Sequence, residues 1–304
     1  MFKFTGSKIV SLLFLLLPTQ SVLAWETDQF TKRFSPLQDS TLKLNAKVNS
    51  ELSAVIQDWK PIDGTNEILF VKRVYKRLSD NHLFSHYESW INNSIYINKS
   101  DIKQKDSIYA GASLSSSRFN FFFDGAPTVY AGGARFGTDK TGHFFSEGYI
   151  YYQLFHNVRL SLEKILNYGI RSELAIFGLK ISGVYSSGDL VANYEGFRFY
   201  ESLFNSVVDP IKGSIIAWSP QGPVMRRGFD WRDYVSEIWD EALYPPVLIK
   251  PLQKTVLNNL IKLCNDFLRN PIKFKPQNED ALISRYSHLG LHFQTQNRLE
   301  NVCR

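Results

Sequence analysis

Between Gly137 and Tyr152 the chain reads GTDKTGHFFSEGYIYY, in which three ionisable residues recur four apart inside an aromatic stretch. Asp139, His143 and Glu147 share one face of a helix at that spacing. Phe144, Phe145, Tyr149, Tyr152 and Phe155 supply enough apolar bulk to bury the helix, so the polar groups need partners inside the protein. The segment is either a site or a buried polar brace, and the remaining chain has to fold around it.

That remainder reads as helices joined by short turns. Leu42, Leu44, Val48, Leu52, Val55 and Ile56 recur with a helical period, and Pro61, Asp63 and Gly64 end the run. A second helical stretch runs from Asn66 to about Ile91 and breaks near Ser79 and Asp80, where Ser79 is placed to cap a new helix. Further helices are expected over Ser161–Phe177, Ser186–Tyr200, Asp230–Tyr244, Pro251–Leu268 and Glu279–Leu289. Residues 119–135 are aromatic, β-branched and glycine-bearing, the pattern of a short hairpin or extended segment. The fold class predicted is mainly α, one multi-helix globular domain over residues 25–304.

The first 24 residues read as a secretory signal peptide. Lys3 and Lys8 precede the apolar run Ile9–Leu17, and Val22, Leu23 and Ala24 place small residues before a cut at Trp25. The apolar run is far short of the roughly 20 residues a bilayer needs, and no later stretch reaches that length without a charge, so no transmembrane helix is expected after cleavage. Losing Lys3 and Lys8 takes the formal net charge from +6 to +4, too weak and dispersed to predict a nucleic-acid partner. In an oxidising compartment Cys264 and Cys303, the only cysteines, are expected to pair. Closing a loop of about 40 residues would stabilise the fold by about 3–4 kcal/mol on the chain-entropy account.

Candidate site residues fall in two stretches. In the first, Asp139 serves as N-cap or as site acid, and His143 is a general base, a metal ligand with Asp139 and Glu147, or a core histidine bonded across helices. Lys140 offers an anion contact for substrate. In SSGDLVANYEGFRFY, Ser186 and Asp189 have capping-box spacing, and Asn193 lies one turn on from Asp189 among Leu190, Tyr194 and Phe197. That face could meet the one carrying His143, with Arg198 as a substrate contact or a buried ion-pair partner. The connection from Asp209 to Arg227 is long enough to act as a lid, and Asp233, Glu237, Asp240 and Glu241 read as a solvated acidic helix face rather than a metal nest, with Asp240 beside Trp239 placed to point inward. His82 and His86 have metal-pair spacing but no third ligand nearby, and between His288 and His292, also four apart, Gly290 weakens the continuous helix a metal pair needs.

The segment DKTGHFF, Asp139 to Phe145, resembles the Asp-Lys-x-x-His-Phe helix of VanZ-like membrane proteins and small YfiM-type predicted lipoproteins. Together with SSGDLVANYEGFRFY it resembles uncharacterised exported bacterial envelope proteins. The chain departs from the first group in lacking further membrane spans and from the second in lacking a lipid-bearing cysteine. The resemblance implies an envelope location, periplasmic or secreted, and a shared polar helix pair; envelope lipid or glycan is the partner class expected at that address.

No Gly-x-Ser-x-Gly elbow, His-Glu-x-x-His helix or Cys-x-x-Cys pair occurs, and nothing in the sequence specifies a cofactor. Two functions fit. One is an exported hydrolase or transferase on an envelope ester, glycan or phosphate, with His143, Asp139, Glu147, Asp189 and Asn193 as its catalytic set. The other is a non-catalytic envelope binding or assembly factor braced by the same residues. A catalytic centre predicts a solvent-reachable His143. A brace predicts a buried one with every polar atom paired.

Overall fold

The structure, a computed structural model, describes residues 26–80, 85–117, 124–175, 178–180, 182–206 and 211–304. The expected signal peptide, His82 and the aromatic residues 118–123 lie outside them. The chain is mainly helical, with three small antiparallel sheets among the described residues. Helix α1 (Thr41–Gln57) buries the predicted stripe of Leu44, Val48, Leu52 and Val55. Helix α2 (Glu67–Leu78), capped by Asn66, ends before Asp80, whose φ of +72° breaks the helix as the sequence predicts. The cap of α3 (His86–Asn93) is Ser85, not Ser79.

Strands β1 (Lys99–Ser100), β2 (Thr128–Ala131) and β3 (Ala134–Gly137) form one sheet, with Val129 opposite Phe136 in the β2–β3 hairpin. That hairpin turns at Gly132 and Gly133, both at positive φ, rather than at Asp124-Gly125. It delivers the chain directly into α4. This helix has an α-turn Asp139–Gly142, a π-helical turn His143–Glu147 and a further α-stretch Gly148–His156. After α5 (Leu162–Leu174) and β4 (Val184–Tyr185) comes α6 (Ser187–Ser202), most of which is buried.

The main core is aromatic. Phe144 packs its ring 4.8 Å from Trp231 and 5.5 Å from Phe199, and Phe145 lies 5.6 Å from Trp231. The wider π turn seats Phe144 and Phe145, neighbours in sequence, in the same core. Residues 230–245 do not form the predicted helix. They make two 3-10 turns, Trp231–Asp233 and Glu237–Trp239, because both tryptophans are drawn into the aromatic core, an override of local propensity by packing. The predicted lid is also corrected. Its described residues include the hairpin β5 (Ile216–Ser219) with β6 (Gly222–Met225), and Trp218 packs on Phe204, Trp59 and Phe70.

A second cluster of Leu252, Val256, Leu260, Phe267, Phe274 and Leu299 lies under α7 (Lys250–Ile261), α8 (Cys264–Arg269) and α10 (Leu299–Val302), with α9 (Glu279–Arg285) between the last two in sequence. Strand β7 (Val247–Leu248) pairs with β4 just before α7. Cys264 and Cys303 are joined across 5.4 Å between Cα atoms, fastening α10 to α8 as the cysteine count predicts. No helix among the described residues is long and apolar enough to cross a membrane.

Candidate functional site

The site exists because α4 and α6 touch backbone to backbone. A Cβ on Gly196 would stand 1.9 Å from the Phe144 carbonyl oxygen, and one on Gly148 would stand 2.5 Å from the Gly196 carbonyl carbon. Only hydrogen in those two positions lets the helices approach so closely. The consequence is that Lys140 and His143 on α4 face Asp189 and Asn193 on α6.

Lys140 is completely enclosed. Its Nζ lies 2.7 Å from each of Asp139 Oδ2, Asp189 Oδ1 and Glu241 Oε1. Gly188 makes room for its stem, since a Cβ there would reach within 3.0 Å of Lys140 Cε. Burial alone would depress the ammonium, but Asp139, Asp189 and Glu241 outweigh it and hold Lys140 well above its ordinary range. Ser186 ties two of the acids together. Its Oγ donates to Glu241 Oε1 at 2.7 Å and accepts from the Asp189 backbone N–H at 3.1 Å, capping α6.

One turn along α4 stands His143, whose side chain is 24% exposed. Its Nδ1 is 3.0 Å from Asn193 Oδ1, while the Asn193 amide also hydrogen-bonds the Tyr151 hydroxyl. An amide that gives its NH2 to Tyr151 presents its oxygen to the ring, so Nδ1 carries a proton and donates. Tyr151 reaches this position through Gly169 on α5, where a Cβ would stand 1.7 Å from its hydroxyl. His143 Nε2 points at Asp189 Oδ2 across 3.4 Å, longer than an ordinary N–H···O bond. Burial lowers the imidazole, but Asp189 and then Glu173 more than compensate, raising it to about 9.

Carboxylates crowd this ring. Glu173, from the last turn of α5, is buried with no hydrogen bond or ion pair to its carboxyl group among the described residues, and burial followed by Asp189 pushes it up to about 8. Half-buried Glu147 is raised by burial to about 7. Glu88 on α3 occupies the space left by Gly142, where a Cβ would be 2.6 Å from Glu88 Oε2, and burial followed by Asp139 raises it to about 8. Buried Glu26 is raised by burial, then by Glu241. Asp189, by contrast, resists burial because His143 and Lys140 hold its carboxylate below the usual range.

No protein-family model, curated protein or solved structure matches the chain. The site therefore has to be understood from its own residues. Of those singled out in the sequence, Asp139, Lys140, His143, Asp189 and Asn193 come together, and Glu147 stands one turn beyond. Lys140 has no exposed atom to offer an anion, so its place as a substrate contact passes to that of central counter-ion. Arg198 pairs with Glu195 at 2.6 Å, not with Asp139 or Asp189. Glu241, expected on a solvated face, is buried against Lys140, and Asp240 beside it is held by Arg33 at 2.8 Å. Glu26, Glu88 and Glu173 carry no local pattern that marks them. Sequence signals for them exist only at their receiving ends, in Gly142 and in the unexplained polar residues of α4 and α6.

Proposed function

We propose that the chain is an exported cell-envelope hydrolase or transferase acting on an envelope ester, glycan or phosphate, centred on His143. Asp189 and Asn193 fix the ring, Lys140 holds Asp189 in place, and Glu147 accepts a proton from the attacking water or hydroxyl. One observation supports this reading over a structural brace: the His143 ring is partly open to solvent while the groups that orient it are buried. A brace would also pair its polar atoms, yet Asp139 Oδ1 and Glu241 Oε2 are buried with no hydrogen-bond partner among the described residues. A carboxyl group that titrates near neutral pH, as Glu147 does, suits a general base. The disulfide is compatible with the oxidising address of that reading.

The test is turnover of chromogenic carboxylic, phosphate and glycoside esters by the purified protein, with Glu147→Gln and His143→Ala alongside. Wild-type turnover is expected to fall about 10²- to 10⁴-fold in Glu147→Gln with the melting temperature unchanged. Absence of wild-type turnover on every class, with His143→Ala badly destabilised, would return the centre to a brace and the protein to an assembly factor.

A further inference from the structure

We infer that His143, Glu173 and Asp189 form a binding site for one divalent transition-metal ion of the zinc or manganese kind. One potential ligand atom from each of the three lies within 4.8 Å of the other two. The inference deepens the hydrolase or transferase reading of the same centre, yet it is tested by binding rather than by turnover.

Three observations carry it. First, Glu173 is a buried carboxyl group close to this spot with no hydrogen-bond donor to it among the described residues, an arrangement that is costly for its ionised form unless something positive arrives. Second, the histidine is dressed as a ligand. Its Nδ1–H is committed to Asn193 Oδ1, which leaves Nε2 as the ring atom directed at Asp189. A cation placed between Nε2 and Asp189 would replace the Nε2 proton and bond both groups, and an outer hydrogen bond of this kind is what orients metal-binding imidazoles. Third, the His143–Asp189 spacing fits, with a Glu173 oxygen within 4.8 Å of both ligand atoms. Metal–ligand bonds of about 2.0–2.1 Å at tetrahedral angles separate neighbouring ligand atoms by about 3.3 Å. The Nε2 to Asp189 Oδ2 distance is 3.4 Å.

The donor set chooses the metal class. One imidazole nitrogen with two carboxylate oxygens suits zinc, manganese or iron(II) better than calcium or magnesium, which prefer oxygen alone. Asp189 serves both halves of the centre, with Oδ1 on Lys140 and Oδ2 toward the ion. Lys140 thereby keeps Asp189 ionised and fixed. The open side of His143 leaves a coordination position for water or a substrate oxygen, the feature that separates catalytic from structural zinc sites.

The experiment uses the full mature protein, stripped with chelator and titrated with Zn²⁺ by calorimetry and with Co²⁺ by visible absorption. One equivalent is expected, with a Co²⁺ d–d band and a melting temperature that rises with Zn²⁺. Glu173→Gln removes an unpaired buried acid, so it is expected to fold while losing at least tenfold in affinity. Glu147→Gln is expected to bind as wild type does. No saturable binding below millimolar Zn²⁺, or equal binding by Glu173→Gln, overturns the site and leaves Glu173 as a buried neutral acid. One equivalent bound without turnover of any ester keeps the metal and rejects the enzyme. Turnover without saturable metal binding rejects the metal and keeps the enzyme.

Discussion

Helix α6 buries charge twice, and the two places are opposites. Around Glu195, which has no exposed side-chain surface, one acid meets several donors: Arg198 at 2.6 Å, Arg285 at 3.1 Å and the Tyr286 hydroxyl at 2.7 Å. Around Lys140 one cation meets three acids, and Glu26, Glu88 and Glu173 crowd in behind them. Donors are in excess at Glu195, and its arginines, 22% and 48% exposed, can shed their surplus to water. Acceptors are in excess at Lys140, where burial closes that route. A surplus of acceptors in a dry place is an invitation to a proton or a cation, and this is why the second cluster reads as a site while the first reads as a clamp.

The contrast can be broken most severely at Lys140. Lys140→Met leaves three buried carboxylates without their counter-ion and is expected to cost about 3–5 kcal/mol or to prevent folding. Chemical denaturation of the soluble fraction measures it, and near-normal stability would remove the cluster from any role in holding α4 to α6. Glu195→Gln should do less. Its two arginines can turn to solvent and only Tyr286 keeps a weakened acceptor, so about 1–3 kcal/mol is expected by the same assay. A loss as large as that of Lys140→Met would erase the distinction.

The smallest effect sharpens the comparison through pH. Glu88 titrates at about 8 in the fold against 4.5 when unfolded, so the folded state binds the extra proton between those values. Wild-type stability is therefore full below about pH 4.5 and declines as pH rises toward 8, by about 1–2 kcal/mol after allowing for partial solvation. Glu88→Gln is expected to cancel that slope and to match or exceed wild type at pH 8, as read by urea midpoints at pH 4.5, 6 and 8. Parallel slopes for the two proteins would mean that Glu88 ionises freely.

Much of this architecture was legible in the sequence, for a physical reason. Helices with a repeating apolar stripe, such as α1, declare themselves, and so do caps such as Ser161 and Ser186. His143 and Asn193 stood out because a polar residue at a helix interior needs an explanation. Glu241 did not, because its partner lies 101 residues away and its own segment mimics an amphipathic helix. The π turn was hidden too. Nothing local distinguishes FFSEG from an ordinary helical stretch until Phe144 and Phe145 are both required in one core. Glu173 sat on a helix whose other charges face water, and only the third dimension turns it inward.

The separation that hid Glu241 also imposes an order of events on the growing chain. Lys140 cannot be enclosed by a fragment that stops before residue 241, since a third of its anionic cage has not yet been made. Until then α4 must keep its ammonium in water, and the two-glycine crossing with α6 stays loose. Closure of the centre is thus a late step in the chain's history, one that registers whether nearly four-fifths of the polypeptide is present and in place.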